Sequence, residues 1–164
     1  MTNTTTGTAV VTLPTDTRIL ITREFDAPRH LVYRAWTEPA LIRRWWNSGH
    51  GEVTVADVDL RVGGTWRYVL VTPSGHEVGF HGVYREIVPN ERLVNTEAYE
   101  GIPDADEQAS VNTHTFTEVD GRTTLTLLVE HRTPEGRTAH VDSGMESGMQ
   151  KGLDLLEEIA VSLR

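Results

Sequence analysis

The chain has 164 residues and a formal net charge of −9 at pH 7, which is the usual size of one domain. The acidic balance argues against nucleic acid as the main partner, because phosphate binding needs a basic surface. No apolar run reaches the roughly 18 residues that indicate a membrane span. The absence of cysteine excludes disulfides, cysteine-ligated zinc and thiol catalysis. No secretory signal pattern opens the sequence, so we expect a cytoplasmic protein.

The N-terminal quarter of the chain predicts a tail, one strand and two short helices. Residues 1–16 are rich in threonine and predict a flexible tail, followed by a single domain over residues 17–164. Residues 17–25 read as a strand because β-branched side chains alternate along them. A helix is expected from Asp26, and a second short helix from Thr37. Trp45 and Trp46 at the end of the second helix fit either the core or the mouth of a pocket.

The middle of the chain predicts an antiparallel sheet, because turn signals recur at short intervals. The strongest turn signal is Asp120-Gly121, since this pair suits a type I′ hairpin. Six strands are predicted between these turns, at about 53–62, 65–71, 77–87, 92–99, 111–119 and 122–131.

A long amphipathic helix is predicted from Asp142 to Leu163. Its apolar residues recur at spacings of three and four, which gives one continuous apolar face. Such a helix needs a partner of similar length. A curved antiparallel sheet wrapped around it is the simplest arrangement that meets this need.

Several stretches of the sequence resemble one known superfamily. They are "ITREFDAPRHLVYRAWTEPALIRRWW", "DLRVGGTWRY", "GFHGVYREIVPNERLV", "GRTTLTL" and the helix opening "GMESGM". Together they resemble the SRPBCC superfamily, in its START-like branch related to the activator of heat-shock-protein-90 ATPase, over residues 17–164. The resemblance implies an α+β helix-grip fold. In this fold a curved seven-stranded antiparallel sheet grips a long C-terminal helix, two short helices lie between strands 1 and 2, and a cavity lies between sheet and helix.

Hairpin registers predict which side chains face such a cavity. If Gly63-Gly64 is a two-residue turn, Asp59 pairs with Tyr68 and Arg61 with Trp66, and cross-strand partners share a face. A two- or four-residue loop at "TPSG" adds His81 to that face. Bulky aromatic side chains favour the concave side, where they can meet the helix. Asp59 and Arg61 fit either a structural ion pair or contacts to a ligand, and these readings are compatible.

The Asp120-Gly121 hairpin carries Asn112, His114 and Phe116 inward, opposite an apolar line on the following strand. From the helix, Met145, Met149 and Leu153 are expected to face the sheet. The predicted ligand-binding set is therefore Asp59, Arg61, Trp66, Tyr68, His81, His114, Phe116, Met145, Met149 and Leu153. His81 and His114 are also the candidates for an acid–base group, although a histidine on a strand is more often structural.

The sequence lacks the motifs of nucleotide binding and covalent catalysis, and it lacks metal-ligand spacings. We therefore expect no cofactor and no metal. The leading hypothesis is a protein that binds a hydrophobic or aromatic small molecule in an internal cavity. One alternative is a polyketide cyclase- or aromatase-like enzyme that uses His81 or His114 for proton transfer. Another is an interaction protein resembling the chaperone ATPase activators. Homodimerisation is left open.

Overall fold

A computed structural model describes residues 6–164 of the chain. Within these residues it contains eight strands and four helices. Their bounds, in chain order, are β1 Val10–Thr12, β2 Arg18–Phe25, α1 Arg29–Thr37, α2 Pro39–Trp45, β3 Glu52–Val58, β4 Thr65–Val71, β5 Glu77–Val88, β6 Arg92–Tyr99, β7 Ser110–Val119, β8 Arg122–Glu130, α3 Pro134–Asp142 and α4 Met145–Ser162.

The strands form one antiparallel sheet in the order β1-β2-β8-β7-β6-β5-β4-β3. The helices α1 and α4 pack together, and their apolar faces join the inward side chains of the sheet in one core. This α+β arrangement is consistent with the predicted helix-grip fold. None of the helices described within residues 6–164 combines the length and apolar character needed to span a membrane.

The sheet has eight strands rather than the predicted seven, because part of the predicted tail pairs with its edge. Val10 and Val11 of β1 lie opposite Thr22 and Ile21 of β2. The preceding Ala9 is buried, and its backbone exchanges hydrogen bonds with the Gln150 side chain of α4 at 3.0 and 2.6 Å. Residues 1–5 of the predicted tail lie outside the described residues.

The last part of the chain holds two helices where one was predicted. The predicted helix over residues 142–163 corresponds to α4, while α3 occupies residues that carried no helix prediction. Thr133 caps α3, since its Oγ1 accepts a hydrogen bond from the Gly136 amide at 3.0 Å. Gly144, with a φ of 80°, separates the two helices, and a positive φ favours glycine there.

The hairpin between β7 and β8 has the predicted register. Val119 pairs with Arg122, Phe116 with Leu125 and His114 with Leu127. Asp120 and Gly121 both have positive φ angles, of 51° and 75°, as a type I′ turn requires. Because the register is confirmed, His114 and Phe116 are carried to the buried face as expected.

The predicted register between β3 and β4 is wrong. Trp66 pairs with Val58 rather than with Arg61, and Tyr68 pairs with Ala56 rather than with Asp59. The reason is that Gly63 and Gly64 do not form the turn: the Gly63 amide donates to Tyr84 O, and the Tyr84 amide donates to Gly64 O. The chain turns earlier, and strand β3 ends at Val58, not near residue 62.

The predicted register between β4 and β5 is also wrong by one residue. The Thr72 amide donates to His76 O, and the Gly75 amide donates to Thr72 O. The loop therefore has three residues, with Gly75 at a φ of 91°, a common hairpin form. Tyr68 consequently pairs with Phe80. An odd loop length moves His81 to the opposite face of the sheet.

A buried ionic cluster joins β2 to the C-terminal half of α4. The guanidinium of Arg23 donates to Asp154 Oδ1 at 2.7 Å and to Glu157 Oε1 at 3.1 Å. Its Nε donates to Glu24 O, and Glu157 Oε2 accepts a hydrogen bond from the Asp26 amide. Arg23 and Glu157 are almost fully buried, and this cluster gives each of their charges an oppositely charged or hydrogen-bonding partner.

Candidate functional site

A cavity of about 250 Å³ lies between the sheet and the N-terminal half of α4. The sheet contributes inward side chains from β2 and from β4 to β8, and α1, α2, α3 and α4 close the other sides. The lining residues are Ile21, Trp36, Trp45, Trp46, Ser48, Trp66, Tyr68, Tyr84, Leu93, Asn95, Glu97, Asn112, His114, Leu127, Val129, His140, Met145, Gly148, Met149, Gly152 and Leu153.

All four tryptophans of the chain line this cavity. They form two groups of ring contacts. In one, Trp36 meets both Trp45 and His114 edge-to-face, each at 4.7 Å between ring centroids. In the other, Tyr68 lies 4.6 Å from Trp66 and 5.5 Å from Trp46. Such contacts fix the rings, and their faces offer a rigid apolar surface.

Local hydrogen bonds hold two of the indoles in place. Trp45 Nε1 donates to Ala35 O at 2.8 Å, which ties α2 to α1. Trp66 Nε1 donates across β5 to Thr96 O of β6 at 3.1 Å. This crossing depends on Gly82, because a Cβ there would lie 2.6 Å from Trp66 Nε1 and 1.8 Å from Thr96 O.

Two buried polar atoms of the lining residues have no hydrogen-bond partner within residues 6–164. They are Nδ1 of His114 and Nε1 of Trp36, on rings that are in contact. Burial lowers the pKa of His114 to about 4, with partial opposition from the Leu93 backbone, so its imidazole is neutral at pH 7. Buried polar atoms without partners are uncommon in native proteins, and each calls for an explanation such as a bound molecule.

A partly buried carboxyl group, Glu97, belongs to the polar part of the wall. Burial raises its pKa, and a hydrogen bond from Asn112 acts in the opposite direction. Glu97 also raises the pKa of Tyr68, after the larger effects of burial and of Tyr84. Burial likewise raises the pKa of Tyr84 to about 12. Both phenols are therefore protonated at neutral pH.

Six residues of the predicted set meet at this cavity. They are Trp66, Tyr68, His114, Met145, Met149 and Leu153. The sequence correctly predicted the inward face of β7, which carries His114, and the apolar face of α4, which carries the last three. Trp66 and Tyr68 reach the cavity although the predicted partners of both were wrong, because the inward preference of bulky aromatic side chains was correct.

Phe116, Asp59 and Arg61 lie away from the cavity. Phe116 is buried deeper in the core and packs edge-to-face on Tyr33 at 5.8 Å. Asp59 and Arg61 form an exposed ion pair of 2.8 Å, with 50% and 70% of their side-chain surfaces accessible. The ion pair, one of the two readings left open for these residues, is present. Both residues follow the end of β3 and lie away from the concave face, because the predicted register was wrong.

His81 lies on the outer face of the sheet, in a polar cluster. Its Nδ1 lies 2.7 Å from Glu100 Oε2, and its Nε2 contacts Asp106. Glu100 also accepts two hydrogen bonds from Arg67, both of 2.9 Å. These two carboxylates raise the pKa of His81, and Arg67 and His81 lower that of Glu100 to about 2. His81 is thus separated from His114 by the sheet.

Sequence patterns did not identify Tyr84, Asn95 and Glu97 as lining residues. Tyr84 was assigned to the outer face through the register error at β5. Asn95 and Glu97 lie on β6, whose long connection to β7 gives no turn signal from which a register could be read. The informative feature is the pairing with β7, because Asn95 lies directly opposite Asn112, which was predicted to face inward.

The arrangement is suited to binding. Within residues 6–164, no group of three or more His, Asp or Glu side chains could hold a metal ion. The cavity instead presents aromatic faces, a neutral imidazole, an indole N–H and a carboxyl group. Sites for small molecules have this general character, with apolar walls and a few placed polar groups.

The fold has counterparts among solved structures whose sequences are about a quarter identical to this chain. A crystal structure from Rhodobacter sphaeroides is 27% identical with a TM-score of 0.85, covering 95% of this chain and 99% of that chain. One from Nitrosomonas europaea is 26% identical with a TM-score of 0.78, over 90% and 96% of the two chains. A third, from Mycobacterium smegmatis, shares the fold at 24% identity, with a TM-score of 0.81 over 92% and 95%.

A comparison of the sequence with curated proteins found no significant match. Residues 26–160, in contrast, match the family described as "Activator of Hsp90 ATPase homolog 1-like protein". The match begins three residues before α1 and ends in the last turn of α4, and it therefore includes every residue that lines the cavity except Ile21. The chain belongs to this Activator of Hsp90 ATPase homolog 1-like family, within the SRPBCC superfamily.

Proposed function

We propose that the protein binds a small hydrophobic or aromatic molecule in the cavity between the sheet and α4. The observation that carries the proposal is the pair of unpartnered buried atoms, His114 Nδ1 and Trp36 Nε1, at the aromatic wall. Leaving a polar group buried without a partner costs about 1–3 kcal/mol. Both atoms have almost no surface open to the cavity, so a ligand reaches them only when the two rings shift slightly, and the hydrogen bonds that it then supplies recover that cost.

The size of the cavity indicates ligands with one or two rings. An apolar cavity of roughly 150 Å³ admits benzene, whereas sites for drug-sized molecules begin at roughly 300 Å³. The volume of about 250 Å³ lies between these values. The aromatic walls favour a planar apolar body, and the two unpartnered atoms favour a polar substituent at one end of it.

A ligand could enter beside the first turns of α4. Trp46, Ser48, Met145, Gly148 and Met149 line the cavity and are each partly exposed. Methionine side chains adapt to differently shaped partners. At Gly148 an added Cβ would meet only Ser48 Oγ, at 3.9 Å, so the helix here leaves open space beside the cavity.

The acid–base alternative has less support than binding. A catalytic base works best when its pKa is near the operating pH, and the pKa of His114 is about 4. His81, the other histidine considered for this role, lies on the opposite face of the sheet. Binding requires neither residue to exchange a proton at neutral pH.

Titration of intrinsic fluorescence tests the proposal, because every tryptophan of the chain lines the cavity. We expect neutral one-ring compounds such as 2-phenylethanol to change the emission in a saturable way. A Gly148→Phe variant, which places a bulky ring at the mouth, should weaken this binding strongly. The matched Gly148→Ala variant should retain it, since its Cβ has room. Absence of saturable binding to the wild-type protein, or equal binding by the Phe variant, would contradict the proposal.

A further inference from the structure

Among residues 6–164, Glu157 is a fully buried carboxyl group between sheet and helices and has a cationic partner, whereas Glu97, a partly buried carboxyl group of the cavity wall, has none. Glu157 accepts from the guanidinium of Arg23 at 3.1 Å. Glu97 makes no ion pair with any described residue, and Asn112 supplies a neutral hydrogen bond to it. A buried carboxylate without a positive partner is costly, because water no longer solvates it and no charge replaces that solvation.

The surroundings of Glu97 also favour positive charge in the cavity. Among the described residues, none of those that line the cavity is lysine or arginine, and burial holds the pKa of both His114 and His140 at about 4. The net charge of −9 adds an attractive field for cations. A carboxylate ligand would meet Glu97 with no cation to offset the repulsion.

The aromatic side chains supply the second feature that a cation needs. Four indoles and two phenols line the same space as Glu97. The face of an aromatic ring attracts a cation within about 6 Å of its centroid, tryptophan most strongly, and proteins use groups of such rings to recognise organic ammonium ions. Tyr68 links the two features, since it is in ring contact with Trp46 and Trp66 and lines the same cavity as Glu97.

We propose that the ligand of this cavity is an organic cation, an amine or quaternary ammonium compound with an apolar or aromatic body, and that Glu97 is its counter-ion. This inference rests on the proposed function and names the chemical class of the molecule bound. The ammonium group lies between the Glu97 carboxylate and the rings of Tyr68 and its neighbouring tryptophans. It provides the positive partner that Arg23 provides for Glu157.

Three probes of similar size and different charge test this inference by calorimetry at neutral pH: 2-phenylethylamine, 2-phenylethanol and phenylacetate. The amine is protonated under these conditions. We expect it to bind roughly tenfold or more tightly than the alcohol, which corresponds to the attraction of a desolvated cation for aromatic faces and a carboxylate. Phenylacetate should bind most weakly.

The Glu97→Gln variant removes the charge and retains the shape of the side chain. It should lose the preference for 2-phenylethylamine, so that the amine and 2-phenylethanol bind this variant with similar affinity. The matched control is Glu100→Gln, which removes a carboxylate from the outer face of the same sheet and should keep the preference. Binding of 2-phenylethanol also reports whether each variant retains a folded cavity.

The outcomes separate this inference from the proposed function. If 2-phenylethanol or phenylacetate binds the wild-type protein as tightly as the amine, the inference is wrong and the binding function stands. The same conclusion follows if Glu97→Gln keeps the preference for the amine. If none of the three probes binds, both the inference and the binding function are wrong. Cation preference that depends on Glu97 supports the inference.

Discussion

The two halves of α4 pack against the sheet in different ways. In the C-terminal half, Leu156, Ile159 and Ala160 are buried in the core, and Glu157 completes its ion pair with Arg23. In the N-terminal half, Met145 and Met149 border a cavity and remain partly exposed. The C-terminal half is closely packed and its buried charges are paired, whereas the N-terminal half borders an open cavity with unpartnered polar atoms in its wall.

This difference separates stability from binding within one helix. A filled and fully paired region is what folding alone favours, because voids and unpartnered buried atoms cost free energy. The cavity beside the N-terminal half departs from that rule at Trp36 of α1, Glu97 of β6 and His114 of β7. We infer that the C-terminal half stabilises the fold and that the N-terminal half contributes to ligand binding. Substitutions in the C-terminal half should therefore mainly lower stability, and those around the N-terminal half should mainly weaken binding.

The largest loss of stability is expected from Arg23→Ala. Removing the guanidinium leaves Glu157 buried without its cation, which typically costs about 3–5 kcal/mol. Chemical denaturation measures the free energy of unfolding directly. The control is Arg61→Ala, which breaks an exposed pair of 2.8 Å and should cost only about 0–1 kcal/mol. Equal losses for the two variants would contradict the importance given to burial.

A smaller contrast is expected between Leu156→Ala and Met149→Ala, two turns apart on the same face of α4. Leu156 is fully buried, so its truncation creates a new void and should cost about 2–5 kcal/mol. Met149 already borders the cavity and is partly exposed, so its truncation should cost clearly less. Denaturant midpoints of the two variants provide the comparison, and a larger loss for Met149→Ala would argue against an open cavity.

His114→Phe should weaken ligand binding without lowering the stability of the fold. The phenyl ring removes the unpartnered Nδ1 atom and has cavity space beside it, so we expect unchanged stability or a gain of about 1 kcal/mol. The same change removes a hydrogen-bonding group from the proposed site and should weaken ligand binding. A large destabilisation without any effect on binding would show that His114 is a structural residue.

The pH dependence of stability provides a finer test of the same residue. Because folding lowers the pKa of His114 from 6.5 to about 4, the unfolded chain binds a proton in this range and the folded protein does not. The stability associated with a neutral His114 is thus complete above about pH 6.5 and is lost as the pH falls towards 4. The His114→Phe variant should lose less stability over that range, whereas His140 contributes equally to both proteins. Parallel profiles would contradict this burial of His114.

The fold could be predicted from the sequence to a large extent because its strongest signals are local. Asp120-Gly121 can adopt the two positive φ angles that a type I′ turn needs, so the β7–β8 register followed from two residues. The apolar spacing of α4 identified the helix and its face in the same way. The short strand β1 was not predicted, because its pairing depends on contacts with β2 and α4 rather than on its own threonine-rich surroundings.

The candidate site was harder to predict, because it depends on register rather than on pattern. Gly63-Gly64 has the composition of a tight turn, yet its backbone pairs with Tyr84 of a strand 20 residues further along the chain. A three-residue loop at Gly75 then placed Tyr84 inside and His81 outside. Side chains along a strand alternate between the two faces of the sheet, so a register error of one residue assigns each of them to the wrong face.

The most direct test of the central claim uses the indole N–H resonances of the four tryptophans in a ¹H–¹⁵N correlation spectrum. Trp36 Nε1 has no partner in the part of the chain that the structure describes, whereas Trp45 and Trp66 already donate to Ala35 O and Thr96 O. On titration with 2-phenylethanol, the resonance assigned to Trp36 through a Trp36→Phe variant should move the furthest and saturate. If the Trp36 resonance stays unchanged at saturating ligand, the cavity is not the binding site and the account is wrong.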